Sequence, residues 1–179
     1  STEDLLTAFT AEDAGPPPPG MAFSGGPGTV APGGTSNSTV KMEVGEYALV
    51  CFVPDANGVP HAALGMAATL SVSAASGPTA DPPQSDLTID LVDFGFGVPD
   101  SIAAGTQMVR LTDSGAQDHE ILAVQLPEDK SIQDFLAAFE PGAELEGPPP
   151  GLPIGGLQPI ASGGVGYVSL NFGAGKYGL

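Results

Sequence analysis

The chain has 179 residues, among them 26 Gly and 19 Pro, no Trp, and only 4 basic side chains against 21 acidic ones, a net charge of −17. That charge repels nucleic-acid backbones and anionic lipid, so neither is an expected partner; no apolar run is long enough for a membrane-spanning helix; and one cysteine excludes an internal disulfide. A chain that is 41% apolar yet rich in Gly and Pro points to short strands joined by turns rather than to disorder.

Residues 1–9, STEDLLTAF, read as a short helix capped by Ser1 or Thr2, with Leu5, Leu6 and Phe9 on one face. Pro16, Pro17, Pro18 and Pro19 predict an extended polyproline segment. A glycine-rich loop covers 25–34. Val40, Met42 and Val44 alternate with Lys41 and Glu43, which predicts a strand. Tyr47, Leu49 and Cys51 then alternate with Ala48, Val50 and Phe52, the pattern of a half-buried strand. A turn-rich loop follows at 54–60, and Ala68, Leu70 and Val72 share one face of a returning strand.

Residues 73–85, SAASGPTADPPQS, have linker composition, and the main boundary is expected there. Leu87, Ile89 and Leu91 alternate on odd positions, whereas Phe94, Phe96 and Val98 alternate on even ones. One extra residue, a β-bulge near Leu91, would produce that slip of phase. Strands are expected at 108–111 and 120–126, with the turn TDSGAQD between them, and 131–139, SIQDFLAAF, reads as a second short capped helix.

The chain repeats itself at an offset of 130. Asp4, Leu5, Leu6, Ala8 and Phe9 match Asp134, Phe135, Leu136, Ala138 and Phe139; Pro17 to Gly20 match Pro148 to Gly151 with a slip of one. Ala31, Gly33 and Gly34 match Ala161, Gly163 and Gly164; Val40 and Met42 match Leu170 and Phe172; Gly45, Tyr47 and Leu49 match Gly175, Tyr177 and Leu179. The expected organisation is 1–75 as the C-terminal part of a first copy, 76–85 as linker, and 86–179 as the N-terminal part of a second. On this reading neither copy is complete. The chain is then a fragment of a longer tandem protein, or a permuted domain, or a sandwich finished by a neighbouring chain's strands.

The strand ending in Cys51, the loop with His61 and Met66, and the returning strand together resemble the C-terminal hairpin of a cupredoxin, the blue-copper family. Residues 113–121, DSGAQDHEI, resemble the upstream turn that leads to that family's first histidine. The resemblance covers most of the chain as two partial copies. It implies an all-β, Greek-key, cupredoxin-like sandwich with one short helix per repeat and Pro/Gly-rich loops. It also implies a copper site in which His119 is the first ligand, Cys51 the thiolate, His61 the second imidazole and Met66 the axial thioether. Soft sulfur and imidazole donors suit copper. The sequence departs from the family in the Cys51–His61 loop, where nine residues stand in place of a short connection, and His119 and Cys51 fall in different copies.

Plainer roles stand beside these: Cys51 as a small buried hydrophobe, His61 as a loop cap, Met66 as core filler and His119 as a turn-bound side chain. Asp55, Asp90, Asp93 and Asp100 lack the spacing of an EF-hand and read as turn acids. No Ser/His/Asp arrangement, phosphate-binding glycine motif or paired-cysteine zinc spacing is present, so the expectation is not an enzyme. The expected function is an extracellular or cell-surface structural module that self-associates through open strand edges. No cofactor is assigned in that reading; a copper-binding electron carrier is the alternative.

Overall fold

The computed structural model describes residues 20–78, 80–140 and 149–179. The helix expected at 1–9 and the polyproline segment 16–19 lie outside the described residues. The chain is all-β, with a single short α-helix among the described residues. Two compact units form. One joins Phe23–Lys41 to Pro82–Leu179; the other holds Met42–Asp81 with residues 20–22.

The first unit is a two-layer β structure. Its larger sheet runs β1 (Asn37–Val40), β9 (Val165–Phe172), β6 (Gly105–Asp113), β4 (Leu87–Val92), β5 (Gly95–Gly97). The smaller runs β10 (Lys176–Gly178), β7 (His119–Leu126), β8 (Leu152–Ile160). β4 and β6 are parallel; every other ladder is antiparallel. The period-2 alternation places Ile89, Leu91, Val109, Leu111, Val168, Leu170 and Phe172 of the larger sheet against Ile121, Ala123, Leu157 and Ile160 of the smaller. These side chains form one core between the layers.

β7 is apolar on both faces because both are covered. Ile121 and Ala123 enter the main core, while Val124 and Leu126 pack with Phe135. Phe135 belongs to α1 (Ile132–Leu136), which starts at a capping box: Asp134 N–H donates to Ser131 Oγ at 3.2 Å, and Ser131 N–H donates to the Asp134 carboxylate at 2.7 Å. Ile132 of α1 rests on Gly178 of β10, where a Cβ would collide with it.

Two local expectations change. The slip of phase after Leu91 is not a bulge but a two-residue hairpin turn, since Val92 pairs with Gly95 and Leu91 with Phe96. Asp93 and Phe94 form the turn, and Phe94 takes a left-handed φ of 67°. The following Gly95 and Gly97 let β5 lie close along β4. The strand expected at 40–44 instead lies at Asn37–Val40. Pairing with β9, not local alternation, decides its position: polar Asn37, Ser38 and Thr39 enter a ladder opposite Ser169, Val168 and Tyr167.

In the other unit, β2 (Gly45–Val50) and β3 (Ala67–Val72) form an antiparallel hairpin in unbroken register from Gly45↔Val72 to Val50↔Ala67.

Candidate metal centre

Cys51 continues the β2–β3 ladder by donating its N–H to Met66 O at 3.2 Å. The nine residues to His61 fold back as an inner hairpin closed by the Pro54↔Pro60 bridge. Asp55 organises its tip: its Oδ1 accepts the N–H groups of Asn57 at 2.8 Å and Val59 at 2.9 Å. These bonds hold its carboxyl below the ordinary range. Gly58, at φ 81°, supplies the left-handed turn residue. His61 then opens a 3-10 turn, His61–Leu64, and the turn is stitched to the residues that follow β2 by His61 N–H to Val53 O (2.9 Å) and Ala62 N–H to Cys51 O (2.8 Å).

The outcome is that the long loop brings His61 beside Cys51 after all, with Sγ and Nδ1 3.7 Å apart. Met66 N–H donates to His61 O at 2.9 Å, so the three residues share one end of the hairpin. Met66 is 59% exposed, and Leu49, Leu64 and Leu70 of the same hairpin and its loop are exposed as well.

His119 belongs to the other unit. It starts β7, and both of its ring nitrogens face carboxylates: Nδ1 lies 3.1 Å from Asp113 Oδ1 and Nε2 3.5 Å from Asp93 Oδ1. Asp113 is buried and also accepts the N–H groups of Gly115 (3.0 Å) and His119 (3.1 Å). Asp93 accepts from Ala116 N–H at 3.0 Å. Gly115 has no room for a side chain, because a Cβ would meet the His119 ring and Asp93. Next to this, Asp90 accepts the hydroxyls of Ser114 at 2.6 Å and Thr112 at 2.8 Å, which lower its carboxyl's pKa. Partial desolvation pushes the carboxyl of Glu120, which stays accessible on β7, the other way, upward.

The structure thus groups Cys51, His61 and Met66 and holds His119 in a separate cluster of turn carboxylates. Among the described residues, no group of three or more His, Cys, Asp or Glu side chains is arranged to hold a metal ion. The plainer reading of His119 as a side chain bonded to its own turn holds for Asp113, whereas Asp93 as its second neighbour was missed in the sequence. The exposed Phe94, 94% accessible at the β4–β5 tip, was likewise read as a strand residue. Compared with protein-family models, curated proteins and solved structures, the chain matches none.

Proposed function

We propose that the chain is a non-enzymatic structural module of an extracellular or cell-surface assembly, built on a cupredoxin-like Greek-key scaffold. The observation that carries this reading is that β1, from the first sequence copy, extends the sheet of the second copy by pairing with β9. β10 and β2 each keep one strand edge with no partner strand among the described residues, and such edges accept strands. The exposed Leu49, Leu64, Met66 and Leu70 lie on the β2–β3 hairpin and its connecting loop, where an apolar surface favours association. The parallel β4–β6 pair and the crossings from β6 to β7 and from β8 to β9 between layers support the scaffold assignment.

A net charge of −17 opposes association at low ionic strength, and salt near 0.15 M shortens the reach of that repulsion to about 8 Å. Sedimentation velocity over a concentration series is therefore expected to show larger species at physiological salt and fewer at low salt. A strictly monodisperse monomer at every concentration and salt overturns the reading.

The second reading, copper binding, rests on the Cys51–His61 geometry. Two donors on one trigonal ion, with bonds of about 2.3 Å to sulfur and about 2.0 Å to nitrogen, stand roughly 3.7 Å apart, the separation found here. Cys51, His61 and Met66 would hold the ion, which when bound would supply single-electron transfer. Titration with copper(II) decides this: an intense visible thiolate band, lost in Cys51→Ala, establishes the site, and its absence removes it.

A further inference from the structure

We infer that the groove between the β4–β5 turn and the start of β7 docks a basic segment of a partner protein, whose arginine side chain lies on Phe94 and Phe96 and faces the carboxylates of Asp118 and Glu120. This docking is separate from association through strand edges, and either can fail alone.

The groove has a volume of about 360 Å³, within the range of ligand sites. One wall is Phe94 of the turn and Phe96 of β5; the other is formed by Asp118, His119 and Glu120. β5 ends the larger sheet, and among the described residues no strand pairs with its outer edge.

Phe94 singles the groove out. It is 94% exposed, so its ring adds almost nothing to the core. Its φ of 67° is the one positive value at a residue other than glycine among the described residues. That conformation is costly for a bulky side chain, and a turn of this kind favours Gly or Asn. The fold therefore carries a ring that is hardly packed and that strains its own turn. Strained positions of this sort cluster where a side chain serves binding. Phe96, 40% exposed, extends the same apolar wall.

The two walls are tied together without a ligand. Asp93, next to Phe94, accepts the N–H groups of Ala116 at 3.0 Å and Gln117 at 3.3 Å, and its Oδ1 lies 3.5 Å from His119 Nε2. Ser114 Oγ donates to Asp90 of β4 at 2.6 Å. The turn that bears Phe94 is thus fixed to the segment that leads into Asp118. A groove shaped in advance loses less conformational freedom on binding.

Charge chooses the occupant. Asp93 and Asp113 are already engaged by N–H groups and by His119. Asp118 and Glu120 have no hydrogen-bond or ion-pair partner among the described residues. A guanidinium suits both walls: its plane stacks on an aromatic ring while its edge donates to carboxylates. A second copy of this chain brings 4 basic side chains against 21 acidic ones, and the same charge repels anionic lipid. The complementary partner is a basic one.

The test is calorimetric titration of the full chain, near 0.15 M salt, with an Arg-Gly repeat peptide blocked at both ends. The peptide is expected to bind, and a Glu-Gly peptide is not. Phe94→Asn should weaken binding about fivefold or more at unchanged net charge, with the melting temperature equal or higher because Asn tolerates the turn. Phe96→Thr is the second variant and should weaken binding in the same direction. Glu120→Gln should cost about fivefold. Glu128→Gln removes the same charge beyond the other end of β7, roughly 20 Å or more away and past the Debye length, and should change affinity less than about twofold. Failure of the Arg-Gly peptide to bind overturns the inference. So does equal binding by the unaltered chain and both phenylalanine variants, or equal losses in Glu120→Gln and Glu128→Gln, each of which would mean diffuse attraction to an acidic chain. A melting temperature that drops by more than a few degrees in Phe94→Asn would make Phe94 a structural residue instead. Binding to phosphatidylcholine vesicles, or a dimer in sedimentation, that is lost in Phe94→Asn would give the groove to a lipid surface or to a second copy and likewise sink it.

Discussion

Leu157→Ala tests the core between the two layers. Leu157 is 0% exposed and belongs to the main core. Its δ carbons lie against Gly166 of β9 and reach toward Gly25, which bonds to β8 through Pro159 O. Truncation removes the transfer free energy of the lost methyl groups and leaves a cavity, and buried Leu→Ala changes cost about 2–5 kcal/mol. Glycine backbone lines one side of this site and has no side chain that can swing in, so collapse is restricted. The upper half of the range follows, about 3–4 kcal/mol. With a urea slope of about 2 kcal/mol/M, the unfolding midpoint should fall by roughly 1.5–2 M. Leu49→Ala is the control: Leu49 is 55% exposed on β2, and the change should cost less than about 1 kcal/mol. A Leu157→Ala cost at or below the control's, with the slope unchanged, would refute the placement of Leu157 in the core between the layers.

Asp113→Ala should destabilise by about 2–3 kcal/mol, because it strands the donors that Asp113 now satisfies; a thermal melt within 1 °C of the unaltered chain would contradict this. Asp90 adds a pH dependence. Its carboxyl titrates below the ordinary 3.8 because Ser114 and then Thr112 donate to it, so its contribution is present above the unfolded-state value and is lost as pH falls through the lowered folded value. The melting-temperature gap between the unaltered chain and Asp90→Asn should hold at neutral pH and close in acid; a gap that persists at pH 2 would count against it. Glu120 has the opposite sign: partial desolvation raises its carboxyl, so the folded state binds its proton more tightly and loses that advantage as pH rises. Glu120→Gln should raise the melting temperature at pH 7, and a fall would be the contrary result.

The candidate site was legible residue by residue but not in its arrangement. Cys51, His61 and Met66 stood out by type and spacing, and the loop between them carried visible turn residues in Pro54, Gly58 and Pro60. That Asp55 would collect the loop's N–H groups and return His61 to 3.7 Å from Cys51 was not visible, because it depends on three-dimensional closure of ten residues. His119 was marked as a ligand by its turn. Its actual neighbours include Asp93, which is 26 positions away in the chain and reaches it only because β4 and β6 run side by side.

What the chain determined by itself is local. Alternation at 87–91, 108–111 and 120–126 encodes strands because side chains on a pleated backbone point to opposite faces every second residue. Ser131 with Asp134 encodes a helix start because a hydroxyl and a carboxylate satisfy the N–H groups there. The spacing of 130 is likewise a property of the letters alone. Only the tertiary structure decided which strand lies beside which. It turned the slip of phase after Leu91 into a hairpin, moved β1 onto polar residues opposite β9, and set residues 130 apart face to face. Backbone hydrogen bonding is the same for every sequence, so the choice of partner strand follows from which faces can be buried together, and that sum runs over residues far apart in the chain.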